Sequence, residues 1–116
     1  LSDEPPESRD AFYLRHMLEC IDAIEKYCGD TDLEADDRTR DAVLRQLQMM
    51  TESSKRISEA SKAANPQVPW RDLAGFRNVV VHDYLGIRVE RITPIVKADL
   101  PLLKQQILAI LSRVHD

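Results

Sequence analysis

Apolar residues recur along the chain at steps of three and four rather than two, and that spacing predicts helices. Ala11, Leu14, Met17, Leu18, Ile21, Ile24 and Cys28 make one such stripe, with Gly29 where a helix-ending glycine belongs. Ser8 or Asp10 is placed to cap its start. Val43, Leu44, Leu47, Met50 and Ile57 carry a second helix, predicted from about Asp37 to Ala64 and closed by Asn65, Pro66 and Pro69. A turn over 65–70 leads into a third helix striped by Leu73, Phe76 and Val80, with Pro69 near its first turn and Gly86 after its end. From about Ile87 to Val114, Pro94 and Pro101 predict one kinked helix or two in series. Leu100, Leu103, Ile107, Ile110, Leu111 and Val114 form the cleanest amphipathic face of the chain.

The expected fold class is therefore all-α: an up-and-down bundle of four main helices with a kinked or split last helix. Sparse aromatics (5%) and the lack of alternating apolar runs exclude a β-sandwich. The length of 116 residues suits one domain, expected over 9–116 behind a frayed tail at 1–8. No stretch approaches the ~20 apolar residues of a membrane span, and no charged-then-apolar leader is present, so no membrane partner and no export are expected. Cys20 and Cys28 fall on one helix roughly 12 Å apart, too far for a disulfide. They read as small core residues in a reducing compartment, which points to a cytoplasmic protein.

Charge changes the picture of possible partners. Net charge is −4, but residues 1–40 hold twelve Asp/Glu against five Lys/Arg, and residues 41–116 hold eleven Lys/Arg against eight Asp/Glu. Non-specific nucleic-acid affinity comes from neutralising phosphates, so any such chemistry must sit in a local basic patch. The acidic stretch from Asp30 to Asp37 reads as a solvated loop rather than a metal site.

Phosphate-cradling glycine loops, zinc-spaced cysteines and a His-Glu-x-x-His helix are all missing. One constellation stands out: Arg77, Asn78, His82 and Tyr84, on or just past the third helix. Asn78 and His82 share a helical face one turn apart, whereas Arg77 and His82 lie about 140° apart around the axis. To act on one phosphate, Arg77 and His82 need either an unwound helix end or a second chain across a two-fold interface. These side chains suit metal-free cleavage of RNA, whose 2′-hydroxyl is a built-in nucleophile. Histidine moves protons near neutral pH, and an arginine fork stabilises the charge building on phosphate. Alone, the Arg-x4-His spacing is a weak motif.

The surrounding residues strengthen it. Arg77, His82 and Tyr84 with Asn78, the turn residues Pro66, Pro69 and Trp70, the helical Glu52, and the closing Leu100, Pro101 and Leu103 together resemble the HepT family of toxins, within the HEPN group of helical ribonucleases. The resemblance covers about residues 9–114 and is most specific over 65–84. Thr51 stands where that family often has glycine. The resemblance implies a homodimer with its motifs facing across a cleft. It also implies a metal-independent endoribonuclease of a type II-like toxin–antitoxin pair, needing no cofactor. The partner it implies is a minimal nucleotidyltransferase (MNT-type) antitoxin that transfers AMP to the motif tyrosine, here Tyr84. His82 would be the general base or acid, Arg77 the phosphate ligand, and Asn78 the residue that orients. Glu52 is expected to be structural, pairing with a motif arginine across helices. Arg71, Arg88, Arg91 and Lys97 are candidate RNA-backbone contacts, and any substrate groove should avoid the acidic N-terminal third. The alternative reading is a non-enzymatic helical dimer that binds nucleotide or RNA, or docks a nucleotidyltransferase.

Overall fold

The computed structural model describes residues 6–82 and 89–113, with side chains over 9–77 and 90–113. Helix α1 (Pro6–Cys28) and helix α2 (Asp37–Lys55) pair antiparallel through their predicted stripes. Leu14, Met17, Ile21 and Ile24 on α1 and Val43, Leu47 and Met50 on α2 are all but fully buried, each contributing about 1.5–3 kcal/mol by leaving water. Gly29 ends α1 with φ +46°, a left-handed conformation that side chains with a Cβ resist. Its N–H donates to Glu25 O at 3.1 Å. Asp36 caps α2 by accepting from Thr39 N, and that bond holds its carboxyl below the usual range.

Two expectations are corrected at one corner. The helix predicted as unbroken to Ala64 stops at Lys55, and a separate short helix α3 (Glu59–Ala64) follows. Asp10 does not cap α1, which already begins at Pro6. Instead its carboxylate accepts from Ser58 N at 2.9 Å, Ser58 Oγ at 2.6 Å and Ser61 Oγ. Ser58 in turn caps α3 through Ser61 N, while Ile57 turns into the core. Three donors on one buried carboxylate outweigh the helix hydrogen bonds lost by breaking at Arg56.

Beyond α3, Asn65 organises the proline turn. Its side-chain amide donates to Ser61 O, its carbonyl accepts from the Trp70 indole at 3.0 Å, and its Oδ1 accepts from Arg113 at 2.8 Å. Helix α4 (Trp70–His82) starts immediately after Pro69, as expected, and packs on α2.

The last segment is one near-continuous run: α5 (Val89–Pro94), a π-helical turn (Ile95–Asp99) and α6 (Leu100–Arg113). Pro94 and Pro101 lack the N–H groups that would bond Glu90 and Lys97, and the widened turn, with Leu100 N donating to Ile95 O, absorbs the defect. α6 packs on α1 through Leu103, Ile107 and Ile110, and Lys104 bridges to Asp22 (2.9 Å) and Glu25 (3.3 Å). The result is the all-α helical bundle expected, its last helix split. No helix among the described residues is long and apolar enough to cross a membrane. Cys20 and Cys28 are free and buried; burial pushes the Cys20 thiol up to about 11 and raises that of Cys28.

Asp10→Ala should lower unfolding free energy by about 2–3 kcal/mol, because three donors lose a charged acceptor at once. Asp10→Asn should recover part of that. Urea unfolding followed by circular dichroism measures both, and a loss under about 0.5 kcal/mol would show that the carboxylate does not hold this corner.

Candidate active site

The site is carried by α4, and α4 is aimed by its first turn. Trp70 is fixed by its indole bond to Asn65, and Leu73 is buried beside Met50 of α2, with Phe76 packed against the same core. One residue on from Phe76, Arg77 is therefore held at the edge of the α2–α4 contact. Its Nε donates to Glu52 Oε1 at 3.0 Å, the cross-helix pairing expected for Glu52. Both side chains are partly exposed, at 23% and 40%, so the pair sits at a rim and sets direction more than stability. Thr51, beside Glu52, is fully buried and spends its hydroxyl on Gln48 O. A Cβ and hydroxyl are thus accommodated where the family often has glycine, without an unsatisfied donor.

α4 remains helical through His82. Asn78 and His82 therefore lie one turn apart on the same helix, and Arg77 and His82 stay about 140° apart around its axis. The side chains of Asn78 and His82, and the whole of Tyr84 and Arg88, lie outside the described residues. Of the other expected backbone contacts, Arg71, Arg91 and Lys97 are exposed. Lys97 borders a hollow at the α1–α2 loop that also includes Asp30 and Asp32.

The structure also brings together residues that periodicity did not single out. Tyr13 and His16 of α1 and Arg45, Glu52 and Ser53 of α2, with Arg56 at its end, line a hollow of about 230 Å³. His16 Nδ1 is hydrogen-bonded to Ser53 Oγ, and its Nε2 lies 3.9 Å from Cys20 Sγ. The Arg56 guanidinium stands 6.0 Å from the Tyr13 ring centroid. Glu52 belongs to this hollow and to the Arg77 pair at once. The sequence signal was present in the spacing of Arg45, Met49, Glu52 and Arg56, which places all four on one helical face.

Because the Glu52–Arg77 pair is half-exposed, Glu52→Gln should cost under about 1 kcal/mol in urea unfolding. A larger loss would mean that the pair is a structural tie rather than a guide for the guanidinium.

The model of the HepT-like family, described as "Ribonuclease HepT-like", matches residues 17–110. The chain is 36% identical over 95 residues to a probable ribonuclease HepT of Thermococcus cleftensis, covering 79% of this chain and 86% of that protein. It is 31% identical over 98 residues to a putative RNase of Methanocaldococcus jannaschii, covering 82% and 90% respectively. A longer protein of the same organism, named a gamma-glutamylcyclotransferase and putative RNase, is 30% identical over 105 residues, which cover 88% of this chain and 47% of that protein. No solved structure gives a significant match. A helical bundle that holds Arg77 against Glu52 on α2, and carries Asn78 and His82 further along α4, thus coincides with a family match over most of its length: the chain belongs to the HepT-like ribonuclease family.

Proposed function

We propose that the protein is a metal-independent endoribonuclease that cleaves RNA by attack of the 2′-hydroxyl at a cleft between two copies of α4. The observation that carries this reading is the regular helix through His82. With Arg77 and His82 on different faces of one helix, a shared phosphate is reached when a second copy contributes its own α4. His82 takes the proton of the 2′-hydroxyl, whose oxygen forms the new bond to phosphorus. The bond from phosphorus to the 5′-oxygen breaks, and the 5′-oxygen is protonated by the second histidine. The products are a 2′,3′-cyclic phosphate and a 5′-hydroxyl. Arg77, aimed through its Nε bond to Glu52, binds the non-bridging oxygens as charge builds on them, and Asn78 orients the imidazole.

The purified protein, in excess EDTA, should cut a mixed-sequence RNA and leave cyclic-phosphate ends. His82→Ala and Arg77→Ala should each reduce the rate at least about a hundredfold, the range that general acid–base and charge-stabilising groups contribute. Equal cutting by wild type and His82→Ala would sink the reading.

In the same reading the protein is the toxin of a toxin–antitoxin pair in a reducing, cytoplasmic setting. Its partner nucleotidyltransferase silences it by transferring AMP to Tyr84, two residues past His82. The added phosphate and bulk repel and exclude an RNA phosphate beside Arg77. Intact mass after co-expression should show AMP-sized increments that disappear in Tyr84→Phe. Unmodified wild type that nonetheless causes no growth arrest would refute this control.

A further inference from the structure

Arg9 lies near the start of α1, Arg45 midway along α2 and Arg56 at its end, and the antiparallel pairing of the two helices brings Arg45 and Arg56 beside Tyr13 and His16. Among the described residues, neither Arg45 nor Arg56 pairs with a carboxylate, because Glu52 is directed to Arg77 and Asp10 to the serines of α3.

We infer that the hollow lined by Tyr13, His16, Arg45, Glu52, Ser53 and Arg56 is a binding subsite for single-stranded RNA, adjoining the cleavage site through Glu52. The inference rests on the ribonuclease reading above and assigns where the substrate strand runs. Its features match what a single strand needs. Arginines bind the phosphates, a partly exposed tyrosine ring with the Arg56 guanidinium over it offers an aromatic and cationic stacking surface, and polar groups (His16, Ser53) line a cavity large enough to receive part of a base. A second hollow of about 330 Å³, lined by Arg9, Tyr13 and Arg56 with Ser58 and the serine-bonded Asp10, continues beyond the Arg56–Tyr13 contact, so the surface is a track rather than a point. Arg45 and Arg56 are eleven residues apart, roughly 16 Å along α2, a span for a short stretch of strand and not for one phosphate. An acidic peptide would find the same charges but would have no use for the aromatic face.

The test is fluorescence anisotropy of the full chain with a labelled 2′-O-methyl oligonucleotide of about twelve nucleotides, which binds but lacks the attacking hydroxyl. Arg45→Ala/Arg56→Ala should weaken binding at least about tenfold and lower the slope of log affinity against log salt by about 1.4, two phosphates' worth. Tyr13→Leu, which keeps apolar bulk, should weaken it about tenfold at unchanged salt slope. Lys26→Ala/Arg38→Ala, at the loop end of the hairpin, should bind as wild type, and all variants should unfold at the wild-type urea midpoint. Polyglutamate of matched charge should not displace the oligonucleotide.

Wild-type affinity and slope in Arg45→Ala/Arg56→Ala would overturn the subsite. So would equal weakening by the loop-end pair, displacement by polyglutamate, or no binding by wild type at all. Cleavage of the unmodified oligonucleotide by the same preparations separates the two readings. A wild type that cleaves while Arg45→Ala/Arg56→Ala binds normally refutes only this subsite. A wild type that binds through Arg45 and Arg56 but cleaves nothing supports the subsite and refutes only the nuclease.

Discussion

The buried carboxylate of Asp10 is the constraint from which the site descends. It gathers three donors from Ser58 and Ser61, and in doing so it ends α2, starts α3 and turns Ile57 into the core. A carboxylate without such donors would be costly at this depth, and without it the N-cap serine of α3 would lose the acceptor for its own N–H and hydroxyl. The chain therefore reverses at this corner and not one turn later. Asn65 continues the same logic, tying α3, the indole of Trp70 and the end of α6 into one hydrogen-bonded joint. The direction of α4, and with it that of Arg77, follows from these two polar junctions.

At the other end of this chain of constraints the interactions are weaker. Glu52 and Arg77 meet at a rim open to water, where an ion pair adds little stability but restricts the guanidinium to one approach. A buried pair would hold more firmly and bind phosphate less well, because the arginine would already be desolvated and neutralised. Placing Glu52 between the motif arginine and the hollow beside His16 gives one side chain two neighbourhoods. That is the structural reason a substrate strand lying in the hollow would be led to α4. Toward the loop end of the hairpin, Asp36 caps α2 and Asp22 and Glu25 hold Lys104.

The amino-acid sequence by itself determined what depends on neighbours along the chain. The helical stripes, Gly29 as a terminator, the proline turn before Trp70 and the interruption by Pro94 and Pro101 are local properties of side-chain shape and backbone freedom, and each was legible. So was the placement of Arg77, Asn78 and His82 on one helix, because residues at known spacings along a helix have a known relation in space. The partner of Glu52, a motif arginine across the helices, was named from the family resemblance and not from the stripes, and Arg77 fills that place.

Only the tertiary structure decided what depends on residues far apart in sequence. Asp10 looks like a cap for its own helix; instead it anchors Ser58, the N-cap of α3, because helix packing brings that residue, forty-eight positions away, to its carboxylate. The period of the apolar stripe runs straight through Arg56, so nothing local announces the break there. The hollow beside His16 is assembled in a similar way: Tyr13 and His16 are far from Arg45 and Arg56 along the chain, and the antiparallel pairing of α1 and α2 is what brings them together. Periodicity reports which face of a helix is buried, whereas the meeting of two polar faces is set by how the helices pack.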